Sequence, residues 1–145
     1  MEVFTIGFAQ KPASAFFGGL KDHGVRRLMD VRLNNKSQLA GFTKQGDLEY
    51  FLRELCSATY VHEPLLAPTS DMLKAYRAKQ LDWQEYDRLY LKLIGDRHVE
   101  DRIERQGFET PTVLLCSELK PDRCHRRLAV EYLARAWGDL QIIHL

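Results

Sequence analysis

The chain has 145 residues, 45% of them hydrophobic and 28% charged, and its formal net charge at pH 7 is +1. This composition suits one globular domain with a proper core and excludes the chain as a whole as a polyelectrolyte partner for nucleic acid, which leaves a local basic patch open. No stretch resembles a membrane span or a signal peptide, and three cysteines without a secreted framework predict reduced thiols in the cytoplasm.

The first half of the chain alternates short apolar runs with amphipathic segments. Three of the runs predict strands, over residues 3–6, 27–31 and 59–62. Apolar residues at helical spacing predict helices over residues 14–23 and 47–56, and Gly24 is placed to end the first of them in the left-handed conformation. The polar segment 32–46 is long for a connection inside a domain, which is typical of a functional loop.

Between residues 69 and 105 the sequence predicts two further helices. The first is short, with Thr69 or Ser70 as its cap, and the second begins with a capping box formed by Asp82 and Glu85. The second helix runs towards residue 105 and has a break near Gly95. Its aromatic stripe is interpreted as core or as a dimer face rather than as a platform for stacking bases: Trp83, Tyr86 and Tyr90.

The last third of the chain completes an alternating pattern of strands and helices. Residues 112–116 are apolar at almost every position, as in a central buried strand. A helix over residues 124–137 and a fifth strand over 141–145 follow. The alternation predicts a single α/β domain of three layers, with a central, mostly parallel sheet of about five strands. The order of the strands does not follow from one sequence.

Polar side chains gather where the predicted strands end. The end segments are Thr5-Ile6-Gly7, Asp30-Val31-Arg32, His62-Glu63 and Cys116-Ser117-Glu118. The carboxyl ends of parallel strands meet at one edge of a sheet, where ligands bind. We therefore expect these segments to lie together, beside the helix start at Cys124-His125-Arg126. This convergence points to a site more strongly than any single residue does.

The same segments resemble the DUF488 family, bacterial and archaeal proteins of unknown function. The resemblance covers nearly the whole chain, and Cys116 followed by Cys124-His125-Arg126 is its most specific part. It implies an α/β fold and functional cysteines, with no settled activity. Phe8-Ala9 stands where many members carry His-Ser, and Leu65-Leu66-Ala67-Pro68 where many carry Leu-Gly-Gly. A role for the first-loop histidine of relatives therefore does not transfer to this chain.

Each cysteine of this segment has two interpretations. If Asp122 caps the helix, Cys124 sits at the second helical position, where the helix dipole, Arg123 and Arg126 favour a thiolate. That setting suits a nucleophile or a redox thiol, whereas the alternative is a small buried residue that packs the first turn. Cys116 ends a central strand, so it is either core or one half of a dithiol that faces Cys124.

His125 and Arg126 are the stronger candidates for function. An imidazole serves as an acid or base near neutral pH, and a planar guanidinium binds an oxyanion. In the alternative interpretation His125 caps the preceding turn, and the arginines are solvated or paired with Asp122 or Glu131. For Arg127 we favour this alternative.

The other strand ends supply further candidates for anion binding: Asp30, Arg32, His62 and Glu118. Asp30 and Arg32 point to the same side of their strand, so either they form a structural ion pair or Arg32 is a second anion ligand. His62 is either a second acid or base or a residue whose hydrogen bonds are satisfied locally. The loop 34–38 either contacts a nucleotide or nucleic-acid backbone or is a turn-rich surface loop.

No cofactor and no metal is predicted. A zinc site would draw on the side chains of this edge: Cys116, Cys124, His125 and His62. Structural zinc usually shows ligand pairs such as Cys-x-x-Cys, which the sequence lacks. A phosphatase of the Cys-x5-Arg type is excluded because Asp122 and Val130 stand where that motif requires arginine. The phosphate-binding P-loop and the Gly-x-Gly-x-x-Gly fingerprint are absent as well.

Two functions follow from these candidates. The first is a small thiol- or His-dependent enzyme that acts on a phosphorylated or other anionic substrate, with Cys124 as nucleophile, His125 as acid or base, and Arg126 with Arg32 as the anion clamp. The alternative is a non-catalytic module that binds a nucleotide or nucleic acid through the same arginines and the 34–38 loop. Cys56 lies in an apolar helix and is expected to be inert. The oligomeric state is open, and a homodimer is compatible with the sequence.

Overall fold

The computed structural model describes residues 1–36, 41–118 and 120–145, and a five-stranded sheet forms its centre. The strands are β1 (Glu2–Gly7), β2 (Arg27–Asp30), β3 (Thr59–His62), β4 (Thr112–Cys116) and β5 (Gln141–His144). They are ordered β3-β2-β4-β1-β5, and all four pairings are parallel. The predicted α/β class is confirmed. As its continuous apolar sequence predicts, β4 is the central strand.

Within the residues that the structure describes, six helices connect the strands. They are α1 (Ala13–Asp22), α2 (Gln45–Phe51), α3 (Ser70–Arg77), α4 (Trp83–Asp96), α5 (Val99–Arg102) and α6 (His125–Trp137). Short 3-10 segments cover Gly41–Thr43, Pro64–Leu66 and Arg105–Glu109. None of the helices within the described ranges has the length and apolarity needed to cross a bilayer.

The predicted helix ends are confirmed by their hydrogen bonds. Gly24, just beyond α1, has a φ of +68°, a conformation that glycine adopts without strain. The Thr69 hydroxyl accepts from the backbone N–H of Met72 at 3.1 Å. Asp82 and Glu85 form the predicted capping box, each carboxylate accepting from the other residue's backbone N–H.

Two helices differ from their predicted course. α2 passes into a wider π turn over Leu52–Cys56, and this extra width rotates the following side chains. Leu55, one of the apolar residues whose helical spacing predicts the helix over 47–56, is consequently 49% exposed. The predicted break in the fourth helix falls at His98, with a φ of +52°, rather than at Gly95. The helical pattern therefore located the elements but not their local irregularities.

Helices cover both faces of the sheet, and the pleat of the strands assigns each side chain to one of them. Val3 and Leu114 belong to the core under α3–α6, whereas Phe4 and Val113 belong to the core under α1 and α2. Cys116, two residues after Leu114, lies on the α6 face. Asp30, two residues after a leucine of the second core, lies on the α2 face.

The predicted edge of polar strand ends is confirmed by the register. Gly7 of β1 lies beside Cys116 of β4, and Asp30 of β2 lies beside His62 of β3. The chain after β4 folds closely over β1, because a Cβ atom at Gly7 would stand 1.5 Å from the backbone oxygen of Glu118. Glycine is therefore required at that position.

Candidate thiol and arginine site

Cys116 and Cys124 meet at the carboxyl edge of the sheet. Cys116 is the last residue of β4, and Cys124 precedes α6. Their Sγ atoms are in direct contact, and their Cα atoms are 7.6 Å apart, somewhat longer than the roughly 4.4–6.8 Å of most disulfides. Both residues are almost wholly buried. The structure thus supports the alternative in which Cys116 faces Cys124, and at this Cα separation a bridge between them requires the backbone to move.

Cys124 does not occupy the predicted second position of the helix. It is itself the N-cap residue of α6, with an extended backbone, and the helix begins at His125. Asp122 belongs to the preceding turn, in which the Cys124 N–H donates to the carbonyl of Pro121 at 3.2 Å. An N-cap side chain still lies beside the unpaired N–H groups and positive dipole end of the helix.

Arg126 is fully buried beside the two sulfurs. Its Nη1 lies 3.2 Å from Cys116 Sγ and 3.8 Å from Cys124 Sγ, and it also donates to the backbone oxygen of Glu118. Its Nε donates to the Thr5 hydroxyl at 3.3 Å. Burial lowers the pKa of Arg126 to about 10, so the guanidinium is charged at neutral pH. The residue predicted to bind a substrate oxyanion instead presents its charge to the sulfurs.

The contact of Arg126 with Thr5 extends to the last strand. Thr5 Oγ1 is 2.5 Å from Nδ1 of His144, its register partner in β5. Burial and the nearby Arg126 charge lower the pKa of His144, so its imidazole is neutral at pH 7. The Thr5 hydroxyl accepts from Arg126 and shares a second hydrogen bond with Nδ1 of His144. Sequence reasoning missed His144 because the pairing of β5 with β1 does not follow from the pattern.

His125 is held at the first position of α6 by a backbone contact across the sheet. Its Nε2 lies 2.8 Å from the carbonyl oxygen of Val31, and its ring centroid is 5.5 Å from that of Tyr90. Burial, with a smaller contribution from the charge of Arg126, lowers the pKa of His125 to about 4. The imidazole is therefore neutral at pH 7, with Nε2–H as donor. A pKa near 4 argues against the predicted role as an acid near neutral pH and leaves Nδ1 as a hydrogen-bond acceptor or weak base.

Asp30 and Arg32 form the structural ion pair, which was one of the two predicted alternatives. Arg32 Nε donates to Oδ1 of Asp30 at 2.9 Å, and Nη2 donates to Oδ2 at 2.8 Å. Nη2 also donates to the backbone oxygen of Thr43 at 2.7 Å, and the Tyr60 hydroxyl donates to Asp30 at 2.7 Å. Both charged residues are buried. Asp30, predicted as part of an anion site, is a buried anion itself and so serves the fold.

Of the remaining predicted site residues, His62 has a structural role and Glu118 is exposed at the pocket. His62 is held by a 2.8 Å hydrogen bond between Nε2 and the backbone oxygen of Arg32, which is the locally satisfied alternative. Glu118 is exposed and lines the pocket beside Cys116. Its position is set by the close passage over Gly7.

The predicted functional loop is likewise divided. Asn34 lines the pocket, whereas Asn35 is buried and its Nδ2 donates to the Tyr60 hydroxyl at 3.0 Å. Lys36 is exposed. Ser37 and Gln38 lie outside the described residues.

A pocket of about 170 Å³ opens beside the sulfur pair. Its lining carries three cationic side chains, Arg32, Arg77 and Arg123. It also carries three aromatic side chains, Tyr76, Trp83 and Tyr86. Both sulfur-bearing residues and His125 also line the pocket. The aromatic stripe of α4 is thus split: Tyr86 and Tyr90 are core, as predicted, while the partly exposed Trp83 belongs to the pocket.

The histidines considered as zinc ligands both direct Nε2 to backbone carbonyls. Within the described ranges, the one cluster of metal-type ligands is His98, Glu100 and Asp101, whose ligand atoms lie within 4.8 Å of one another. This cluster lies at the surface and includes none of the pocket residues. Exposed groups of this kind are common without a metal.

The fold and the site define a parallel α/β domain with a cysteine pair and a buried arginine at the carboxyl edge of its sheet. Residues 12–133 match the family described as a domain of unknown function, DUF488. The chain therefore belongs to the DUF488 family, as the Cys116 and Cys124-His125-Arg126 segments predict, and both segments fall within the match. No curated protein and no solved structure matches the chain.

Proposed function

We propose that this chain is a small thiol-dependent enzyme that acts on a phosphorylated or other anionic substrate. The observation that carries the proposal is the contact of the Cys116 and Cys124 sulfurs with each other and with Arg126 Nη1, in the wall of a pocket. A neighbouring guanidinium stabilises a thiolate relative to a thiol, and thiolates are the reactive form of cysteine. The reducing cytoplasm is the compartment in which such a dithiol is maintained.

The nucleophile is Cys124 and its partner is Cys116. Two thiols in contact lose their protons as a coupled unit, in which the remaining S–H donates to the thiolate. Cys124 stands at the N-cap of α6, where the helix dipole adds to the Arg126 charge, whereas Cys116 ends a strand. Cys116 lies nearer to Arg126 Nη1, at 3.2 Å against 3.8 Å. It is therefore suited to sharing the negative charge of the pair.

The substrate anion is bound by arginines of the pocket other than Arg126. Arg77 and Arg123 are exposed and line the pocket, while Arg32 is engaged by Asp30. The neutral His125, whose Nε2 is held by Val31, contributes Nδ1 as an acceptor for a proton. These assignments keep the predicted chemistry and transfer the anion contact from Arg126 to residues that solvent reaches.

A non-catalytic nucleotide or nucleic-acid binding module is the second candidate. The observation that favours it is the composition of the pocket wall, where arginines and aromatic rings would serve binding without any reactive thiol. Such a module tolerates Cys124→Ser, and its affinity for a phosphate-bearing ligand falls steeply with salt.

The test is the pH dependence of alkylation at each cysteine of the reduced native protein, followed by mass spectrometry with and without phosphate. We expect Cys124 to react with an apparent pKa well below the ordinary value of about 8.5, and phosphate to slow the reaction. Cys116→Ser should retain this reactivity and Cys124→Ser should remove it. The buried Cys56, whose thiol pKa is raised by burial, is the internal unreactive control. Equal inertness of all three thiols until denaturation would overturn the proposal.

A further inference from the structure

We infer that the pocket accepts a mononucleotide, with its base against Trp83 and its phosphate at Arg123, beside the sulfurs. The inference rests on the proposed function, because it names the substrate class of the same site. It is carried by three independent properties of the pocket: a series of stacked rings, the pocket's size, and the placement of its charges.

The rings form a series that leads from the core to the pocket. Tyr90 and Tyr86 are nearly parallel, with centroids 6.5 Å apart, and Trp83 stacks on Tyr86 at 5.5 Å with an angle of 23°. Tyr76 packs edge-on against Trp83 at 6.0 Å. Trp83 is the outermost member of this series, is only partly buried, and lines the pocket. A planar ligand in the pocket extends the series, as bases do on aromatic side chains.

The size of the pocket suits one ring system. An engineered apolar cavity of about 150 Å³ takes benzene, whereas sites for drug-sized ligands begin near about 300 Å³. The volume here is about 170 Å³. The pocket thus accommodates a single base and has no room for a second ring system.

The charges place one phosphate next to the sulfurs. Arg123 directly precedes Cys124, and Arg77 follows Tyr76 in the last turn of α3, so cations occur both at the thiol end and at the aromatic end. A guanidinium binds phosphate through paired N–H donors. The exposed carboxylate of Glu118 also lines the pocket and opposes additional negative charge. A monophosphate is therefore favoured over a di- or triphosphate.

The experiment uses Trp83 as its own probe. The chain has two tryptophans, so Trp137→Phe leaves Trp83 as the single indole while retaining a ring to pack on Phe108. We expect 5′-AMP to quench this fluorescence saturably. In calorimetry on the same protein, ribose 5-phosphate, adenosine and ADP should each bind more weakly than 5′-AMP, with ribose 5-phosphate weaker by about tenfold or more because it cannot stack.

Variants separate the ring contact from the phosphate contact. Trp83→Leu should abolish the preference for 5′-AMP over ribose 5-phosphate, and Trp83→Phe should restore most of it. Arg123→Gln should abolish the preference for 5′-AMP over adenosine. Arg88→Gln, which alters an exposed arginine of the same α4 outside the pocket, is the matched control and should leave all affinities unchanged. Equal affinity of the wild-type protein for 5′-AMP and ribose 5-phosphate overturns the inference.

The failure of this inference is distinguishable from that of the proposed function. If ribose 5-phosphate protects a reactive Cys124 from alkylation as well as 5′-AMP does, the proposed enzyme function is kept and the inference of a base site is wrong. If 5′-AMP binds through Trp83 while all thiols are inert, the inference of a base site is kept, and the proposed enzyme is rejected in favour of a non-catalytic binding module.

Discussion

Arg32 and Arg126 are two buried arginines at the same edge of the sheet, and their partners differ in kind. Arg32 faces a carboxylate, with two hydrogen bonds to Asp30. Arg126 directs Nη1 to the sulfurs of Cys116 and Cys124. The first cation is paired with a carboxylate, whereas the second lies beside thiols, which are far weaker acids than a carboxyl group.

The pleat of the sheet keeps these two arrangements apart. Asp30 and its partner Tyr60 lie on the face covered by α2, while Cys116 and Arg126 lie on the face covered by α6. The strand ends at this edge therefore have two different roles. On one face the Asp30–Arg32 pair anchors the loop after β2, and on the other face Arg126 places its positive charge beside the cysteine sulfurs. The difference teaches that proximity to an active edge does not by itself make a charged residue functional.

The largest effect is expected from breaking the structural pair. Arg32→Met leaves the Asp30 carboxylate buried without its cation, which should lower the free energy of unfolding by about 3–5 kcal/mol in urea denaturation. The double variant Asp30→Asn with Arg32→Met removes both charges and should cost less than the single variant. If the single variant costs under about 1 kcal/mol, the pair is not the anchor described here.

His125 lies between the Asp30–Arg32 ion pair and the Arg126–sulfur contacts. Its protonation is expected to have the second-largest effect on the free energy of unfolding. Protonation is favoured in the unfolded chain, since the pKa of His125 is about 4 in the fold against an ordinary 6.5. Its contribution is therefore complete above pH 6.5 and is lost as pH falls towards 4, with a total of up to about 3 kcal/mol.

The matched variant is His125→Gln, whose amide retains a donor for the Val31 carbonyl but does not titrate. The difference between wild type and variant in urea unfolding should shrink as pH falls from 6.5 towards 4. His144, whose pKa is also lowered, remains in both proteins and cancels in this difference. Parallel pH profiles for the two proteins would show that His125 is not neutralised by the fold.

Much of the fold follows from the sequence because its signals are local. The five strands, the capping box of Asp82 and Glu85, and the left-handed Gly24 all depend on neighbours along the chain. The strand order and the π turn that exposes Leu55 depend on packing between distant segments, and no local pattern encodes them.

For the site, the sequence indicated the edge and the cysteines but not the orientation of individual groups. The adjacency of Cys124, His125 and Arg126 in the sequence does not show that Arg126 turns inward while His125 reaches Val31. The pocket wall contributed by Trp83 also depends on how α3 and α4 pack together. One signal was available: Trp83 directly follows the N-cap Asp82, so it begins its helix rather than lying within the buried stripe.

The Arg126 arrangement depends on close packing at Gly7, which can be tested by adding one methyl group. In Gly7→Ala the new Cβ would lie 1.5 Å from the Glu118 oxygen and 2.7 Å from Arg126 Nη1, so the backbone over β1 must shift. We expect a loss of about 1–3 kcal/mol in urea unfolding, together with slower alkylation of Cys124. Gly19→Ala in α1, where no atom lies within 4 Å of the added group, is the control and should stabilise by up to about 1 kcal/mol.

The smallest effect in energy, and the one closest to the chemistry, is expected from Arg126→Met. The unbranched methionine fills much of the same space but carries no charge, so the thiolate of the cysteine pair loses its stabilising cation. The apparent pKa of Cys124 should rise by about one unit, equivalent to 1.4 kcal/mol, and alkylation near neutral pH should slow by about tenfold.

Arg32→Met is the comparison for this variant, since it removes the same positive charge from the ion pair with Asp30 and should leave the Cys124 pKa unchanged even though stability falls. A Cys124 pKa that rises equally in Arg126→Met and Arg32→Met would mean that the sulfurs sense the overall charge of the edge. In that case the division between a structural arginine and a thiol-directed arginine would not hold.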